Sequence, residues 1–98
     1  MYARVSAYDG GADDYDRGVA HVTSKVAPQV RAIPGSAGLL TMVDRKTGRT
    51  LSITLWDTEE ALANSRDAAD RIRSEAAAAT GSTVTDVTEY EVGVADLT

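Results

Sequence analysis

Strict alternation governs the first segment of the chain. In residues 2–8, YARVSAY, Ala3, Val5 and Ala7 fall on one side and Tyr2, Arg4, Ser6 and Tyr8 on the other. That is the period of a half-buried strand. Asp9-Gly10-Gly11 ends it, since these residues tolerate turn geometry. The period then lengthens to three and four: Tyr15, Val19, Val22, Val26 and Val30 form one stripe of a helix that should start near Asp13 or Asp14. Valine is a mediocre helix former, so packing must hold this segment. Pro28 lacks an intrahelical donor and predicts a kink or a restart, and Pro34-Gly35 closes the segment.

Two more alternating runs, AGLLTMVD at 37–44 and RTLSITLW at 49–56, flank RKTG and predict a hairpin with a left-handed glycine in its turn. Matching Leu51, Ile53 and Leu55 with Leu39 and Val43 sets Val43 opposite Leu51 and Gly38 opposite Trp56. Ser52, Thr54 and Trp56 then share the other face. Asp57 reads as the cap of a second helix, with Glu60 reaching back to it. Its buried stripe is Leu62, Ser65, Ala69, Ile72, Ala76 and Ala79, and Gly81 is its stop. Residues 83–95 predict a last strand with an irregularity at Gly93.

The order β-α-β-β-α-β predicts an α+β, ferredoxin-like fold, an antiparallel sheet with both helices on one face. The 98 residues suit a single domain over 1–98. If the helices cover the aliphatic face, Arg4, Ser6, Leu40, Met42, Ser52, Thr54 and Trp56 remain on the open one. So mixed a face calls for a two-fold partner, and a homodimer with its sheets facing each other is expected.

Composition narrows the partners. There is no cysteine, which removes disulfides and thiolate metal sites, and self-association is the expected supplement to a small core. The net charge of −5 argues against nucleic acid and against an anionic lipid surface. No apolar run approaches the ~20 residues that span a bilayer. The N-terminal MYARVSAYDGG lacks a signal layout, so a cytoplasmic protein is expected.

The hairpin and helix start DRKTGRTLSITLWDTEEALANS, with PG before it at 34–35 and AADRIRSEA after it, resembles the antibiotic biosynthesis monooxygenase-like family, and more narrowly its small uncharacterised actinobacterial members. The resemblance covers essentially the whole chain and is strongest at 34–72. It implies a dimeric α+β barrel and, as activity, cofactor-independent oxygenation of a small aromatic substrate, a phenol or quinol. Haem-degrading relatives carry an Asn on the first strand, and a Trp and a His on the second helix. Aligned on Trp56-Asp57-Thr58-Glu59, those positions hold Ser6, Ser65 and, near the His, Glu75. The resemblance therefore does not carry haem degradation over to this chain.

Oxygenation without a cofactor needs a snug pocket that positions the substrate and stabilises developing negative charge. The candidates for its lining are Arg4, Ser6, Thr54, Trp56, Asn64 and Tyr90; no catalytic residue is singled out. Arg4 is equally placed for a structural pair with Asp86 or Glu89, and Trp56 for packing near the dimer face. His21 lies roughly 145° from the valine stripe at about 100° per residue, which assigns it to the solvated side. Asp9, Asp13, Asp14 and Asp16 lack calcium-loop spacing, so no metal is expected, and the family resemblance implies no cofactor. A non-enzymatic dimer binding a hydrophobic metabolite, and a structural member whose interior is filled, are the competing readings.

Overall fold

The structure, a computed structural model, describes residues 1–10 and 15–97. Its elements run β1 (Tyr2–Asp9), α1 (Tyr15–His21), a π-helical turn (Val22–Val26), α2 (Ala27–Arg31), β2 (Ser36–Asp44), β3 (Arg49–Trp56), α3 (Glu59–Asn64), α4 (Arg66–Thr80) and β4 (Thr83–Glu91). The strands form one antiparallel sheet in the order β2-β3-β1-β4. This is the ferredoxin-like α+β arrangement, with the helices on one face. The expected helix start at Asp13 or Asp14 lies outside the described residues.

The first helical segment is continuous but changes pitch. Ala27 N–H bonds to Val22 O, a π turn that inserts one extra residue directly before Pro28. Pro28 then sits in the first turn of α2, where its missing N–H is not needed. The insertion rotates everything upstream by about 100° relative to Val26 and Val30. Val19, expected in the buried stripe, is 39% exposed, and His21, expected in solvent, is half-buried.

The hairpin is offset by one residue from the expected pairing. Gly48 takes a left-handed φ of 77°, and its N–H bonds to Asp44 O at 2.8 Å, closing a four-residue loop that pairs Asp44 with Arg49. Met42 therefore opposes Leu51, Leu40 opposes Ile53, and Trp56 opposes Ser36 rather than Gly38. The slip costs nothing in apolar pairing, because Leu40 and Met42 replace Leu39 and Val43 against the aliphatic set of β3.

The helices cover the polar face of the sheet, not the aliphatic one. Arg4, Ser6 and Tyr8 of β1 and Ser52, Thr54 and Trp56 of β3 lie beneath Val26, Val30 and Ile72. Those three aliphatic residues form the core cluster, with Val22, Ile33, Leu39 and Ala76 packed around it. Val5, Leu40, Met42, Leu51, Ile53 and Leu55 thus occupy the open face, where Leu40 and Met42 are about half exposed.

The second helix starts one residue later than expected. Thr58, not Asp57, is the cap, accepting from Ala61 N–H through Oγ1 at 3.0 Å. Ser65 interrupts it between α3 and α4, and Gly81 ends it in the left-handed conformation. The strand irregularity falls not at Gly93, which lies beyond β4, but where Ala7 and Tyr8 pair with Asp86 and Val84. The skipped Thr85 donates its hydroxyl to Ala7 O.

Candidate functional site

Three rows of side chains cross the helix-covered face of the sheet. Tyr8, Thr50 and Val43 form one, Ser6, Ser52 and Thr41 the next, and Arg4, Thr54 and Leu39 the third. A floor rich in hydroxyls thus lies under a roof of valine, isoleucine and alanine. Two adjoining chambers remain between floor and roof, with Tyr8, Val26, Ser52 and Ala76 bordering both.

The smaller chamber, about 40 Å³, is bordered by Arg4, Ser6, Thr54 and Trp56, four of the six expected pocket residues. Its chemistry is largely committed to holding the fold. Arg4 is 3% exposed and donates from Nε and Nη2 to Glu89 Oε2 at 3.2 and 2.8 Å, from Nη1 to Ser65 Oγ at 3.1 Å and from Nη2 to Leu62 O at 3.0 Å. Its guanidinium lies 5.8 Å from the centre of the Trp56 ring, within cation–π range. Trp56 is 1% exposed and donates from Nε1 to Thr54 Oγ1 at 3.0 Å. This ring is buried under the helices, not near the open face. Asn64 and Tyr90 are not brought into this group: Asn64 is exposed at the end of α3, and Tyr90 is 54% exposed on the opposite face.

Of the alternatives for Arg4, the structure realises Glu89. The same carboxylate receives Arg66 Nη2 at 2.6 Å, and Arg66's two-pronged grip holds Glu89 below the usual carboxylate range, with Arg4 adding to it against the opposing effect of burial. Ser65 passes the connection on, accepting from Arg4 while its own hydroxyl donates to Leu62 O at 2.7 Å.

The larger chamber, about 90 Å³, lies beneath α1. Its borders include Tyr8, Thr41, Thr50 and Ser52 from the sheet, Gly18, His21 and Val22 from the first helical segment, and Ala76 and Thr80 from α4. Thr41 Oγ1 is buried with no hydrogen-bond partner among the described residues. Burial pushes the Tyr8 phenol up, against an opposing pull from Arg73, so Tyr8 stays a donor at neutral pH. The sequence pattern assigns none of these residues to a pocket. Tyr8 was nonetheless legible, since it follows Arg4 and Ser6 on the same side of β1; His21 was hidden by the π turn.

Among the described residues no three or more His, Asp or Glu side chains are gathered as metal ligands. Nor is any helix among them long and apolar enough to cross a membrane.

No protein-family model matches the chain. Among curated proteins it is 34% identical over 92 residues to the uncharacterized protein Rv2557 of Mycobacterium tuberculosis (strain ATCC 25618 / H37Rv), covering 94% of this chain and 41% of that one. It is also 35% identical over 77 residues to the uncharacterized protein Rv2558 of the same strain, covering 79% and 33%. The chain thus spans about two-fifths or less of the curated relatives it matches. Among solved structures it is similar to the ActVA-Orf6 monooxygenase of Streptomyces coelicolor in complex with nanaomycin D, with a TM-score of 0.70, 16% identity and coverage of 99% and 91%. The heme-degrader MhuD of Mycobacterium tuberculosis with two hemes bound gives a TM-score of 0.70, 18% identity and coverage of 98% and 99%. An antibiotic biosynthesis monooxygenase-like protein of Deinococcus radiodurans gives 0.68, 19%, and 100% and 98%. At such identities the likeness is one of fold: this chain has the α+β ferredoxin-like fold of the antibiotic biosynthesis monooxygenase-like proteins.

Proposed function

We propose that the chain, read as one domain over 1–98, binds a small aromatic phenol or quinol between its helices and its sheet and oxygenates it without a cofactor. The observation that carries this reading is the chambered gap between a hydroxyl-rich floor and an apolar roof. An aromatic ring fits such a roof, and its oxygens fit such a floor. In this chemistry the substrate is its own reductant. A phenol becomes a quinone: one atom of dioxygen enters the ring as the second carbonyl oxygen, the other leaves as water with the two hydrogens the substrate loses, and all four electrons come from the substrate. What the protein adds is positioning and donors aimed at the developing phenolate oxygen. Tyr8, kept protonated by burial, is such a donor.

Haem degradation is outside this reading. The position of the relatives' tryptophan is Ser65, 1% exposed and bonded to Arg4 and Leu62, and Glu75 is exposed. A two-fold homodimer with its sheets facing each other belongs to the proposal. Its support is the open aliphatic face, which is apolar enough to need cover. The same gap also supports a non-enzymatic binder of a hydrophobic metabolite, favoured by the engagement of Arg4 in structural bonds. Dioxygen uptake over a panel of phenols and quinols separates the two. Uptake with oxygen from labelled dioxygen in the product is expected, and binding without uptake refutes the enzyme.

A further inference from the structure

We infer that the ligand occupies the chamber beneath α1, that this chamber selects an uncharged hydroxyaromatic, and that His21 takes the ligand's phenolic proton. The inference rests on the reading that the gap binds an aromatic at all. It places the site away from the Arg4–Trp56 end that the sequence pointed to.

Room is the first argument. At about 90 Å³ against about 40 Å³ for its neighbour, this chamber is the roomier of the two between helices and sheet. Part of the room is the missing side chain of Gly18, whose added Cβ would stand 4.0 Å from Thr80 Cγ2 of α4. Any larger residue at this position would project into the chamber.

Charge is the second. Among the described residues the lining holds no Asp, Glu, Lys or Arg, and its titratable side chains are Tyr8 and His21. A carboxylate or phosphate on the ligand finds no counter-charge in that lining; Arg73, the cation that acts on Tyr8, borders the adjoining chamber and is paired with Asp70. The polar floor instead offers hydroxyls, and Thr41 Oγ1 lacks a partner among the described residues. A buried hydroxyl without a partner is destabilising, and a ligand oxygen in the chamber relieves it.

The third is a division of roles. Tyr8 keeps its proton and donates, whereas a neutral imidazole accepts at its unprotonated ring nitrogen. In the step assigned to His21 the ligand O–H bond breaks, its electron pair stays on the ligand oxygen, and a new N–H bond forms on the imidazole. The phenolate so formed faces the hydroxyl floor.

The probes are 2-naphthol and 2-naphthoate, with binding followed by calorimetry and the ionised fraction of bound naphthol by its absorbance at fixed pH. Wild type is expected to bind 2-naphthol at least tenfold tighter than 2-naphthoate. Gly18→Leu should weaken 2-naphthol at least tenfold with a melting temperature no lower than wild type, and His21→Gln should keep affinity within about threefold while the ionised fraction falls. Unchanged naphthol affinity in Gly18→Leu, or equal binding of naphthoate, overturns the assignment of the chamber; an unchanged ionised fraction in His21→Gln overturns the role of His21. Either result leaves the oxygenase reading intact if wild type still takes up dioxygen with a phenol. Conversely, binding that Gly18→Leu abolishes, without dioxygen uptake from any phenol, upholds the chamber and refutes the oxygenase. Absence of any naphthol binding overturns both.

Discussion

Glu89→Gln tests how much of the fold hangs on one carboxylate. Its Oε2 receives both Nε and Nη2 of Arg4, a guanidinium buried to 3% exposure between β1 and the α3–α4 junction. Two unit charges ~4 Å apart at an effective dielectric of ~20 attract by about 4 kcal/mol. Glu89 is 26% exposed, so solvent screens part of this, and glutamine keeps the shape and an acceptor oxygen. The expected loss lies between the ~0–1 kcal/mol of a surface pair and the ~3–5 kcal/mol of a broken buried one, at about 2 kcal/mol. For a chain of this size that lowers the melting temperature by ~8–16 °C. The sign with pH follows from the lowered carboxyl of Glu89. Its contribution is full above the ordinary carboxylate range near ~4.3 and is lost as pH falls through the depressed folded value. Thermal melts followed by Trp56 fluorescence, with Arg4 above that ring, should therefore show the widest gap between wild type and Glu89→Gln at pH 7 and a closing gap toward pH 3. A pH 7 melting difference under about 2 °C, or a gap that does not narrow in acid, refutes the reasoning.

The remaining predictions concern the backbone, a cap and the open face. Gly35→Ala should destabilise by about 3 kcal/mol in denaturant melts, because Gly35 has a φ of 83° and an added Cβ would overlap Ala61 Cβ. Thr58→Ala removes the acceptor for Ala61 N–H and should cost about 1 kcal/mol, whereas Asp57→Ala should cost clearly less in the same melts. Ile53→Glu puts a charge in the middle of the open aliphatic face; sedimentation at micromolar concentration should give a dimer for wild type and a folded monomer for the variant.

Much of the local structure was readable because periodicity and punctuation agree. The hairpin strands at 37–44 and 49–56 are found at Ser36–Asp44 and Arg49–Trp56, and Gly81 ends the second helical segment. Of the expected stripe, Leu62, Ser65 and Ile72 are buried and Ala69 and Ala76 half-buried, whereas Ala79, near the end of α4, is exposed. The site was only half legible. Arg4, Ser6, Thr54 and Trp56 do gather around one chamber, since alternation on two paired strands places them together. Two facts were invisible. A 3.6-residue period assumes an unbroken α-helix, and the π turn before Pro28 shifts the phase that assigned Val19 to the core and His21 to solvent. The register of β2 was ambiguous, because Leu39 and Val43 on one face and Leu40 and Met42 on the other give two apolar solutions one residue apart.

By itself, then, the sequence determined the elements, their order and hence the ferredoxin-like topology, because hydrophobic period, turn residues and caps are local properties. Which face of the sheet the helices cover was decided only in the tertiary structure. The loop closed by Gly48 set the register of β2, and the Arg4–Ser65–Glu89 connection tied the α3–α4 junction to the polar side. The chambers in which the proposed chemistry is placed lie between those apolar helices and a hydroxyl-bearing floor.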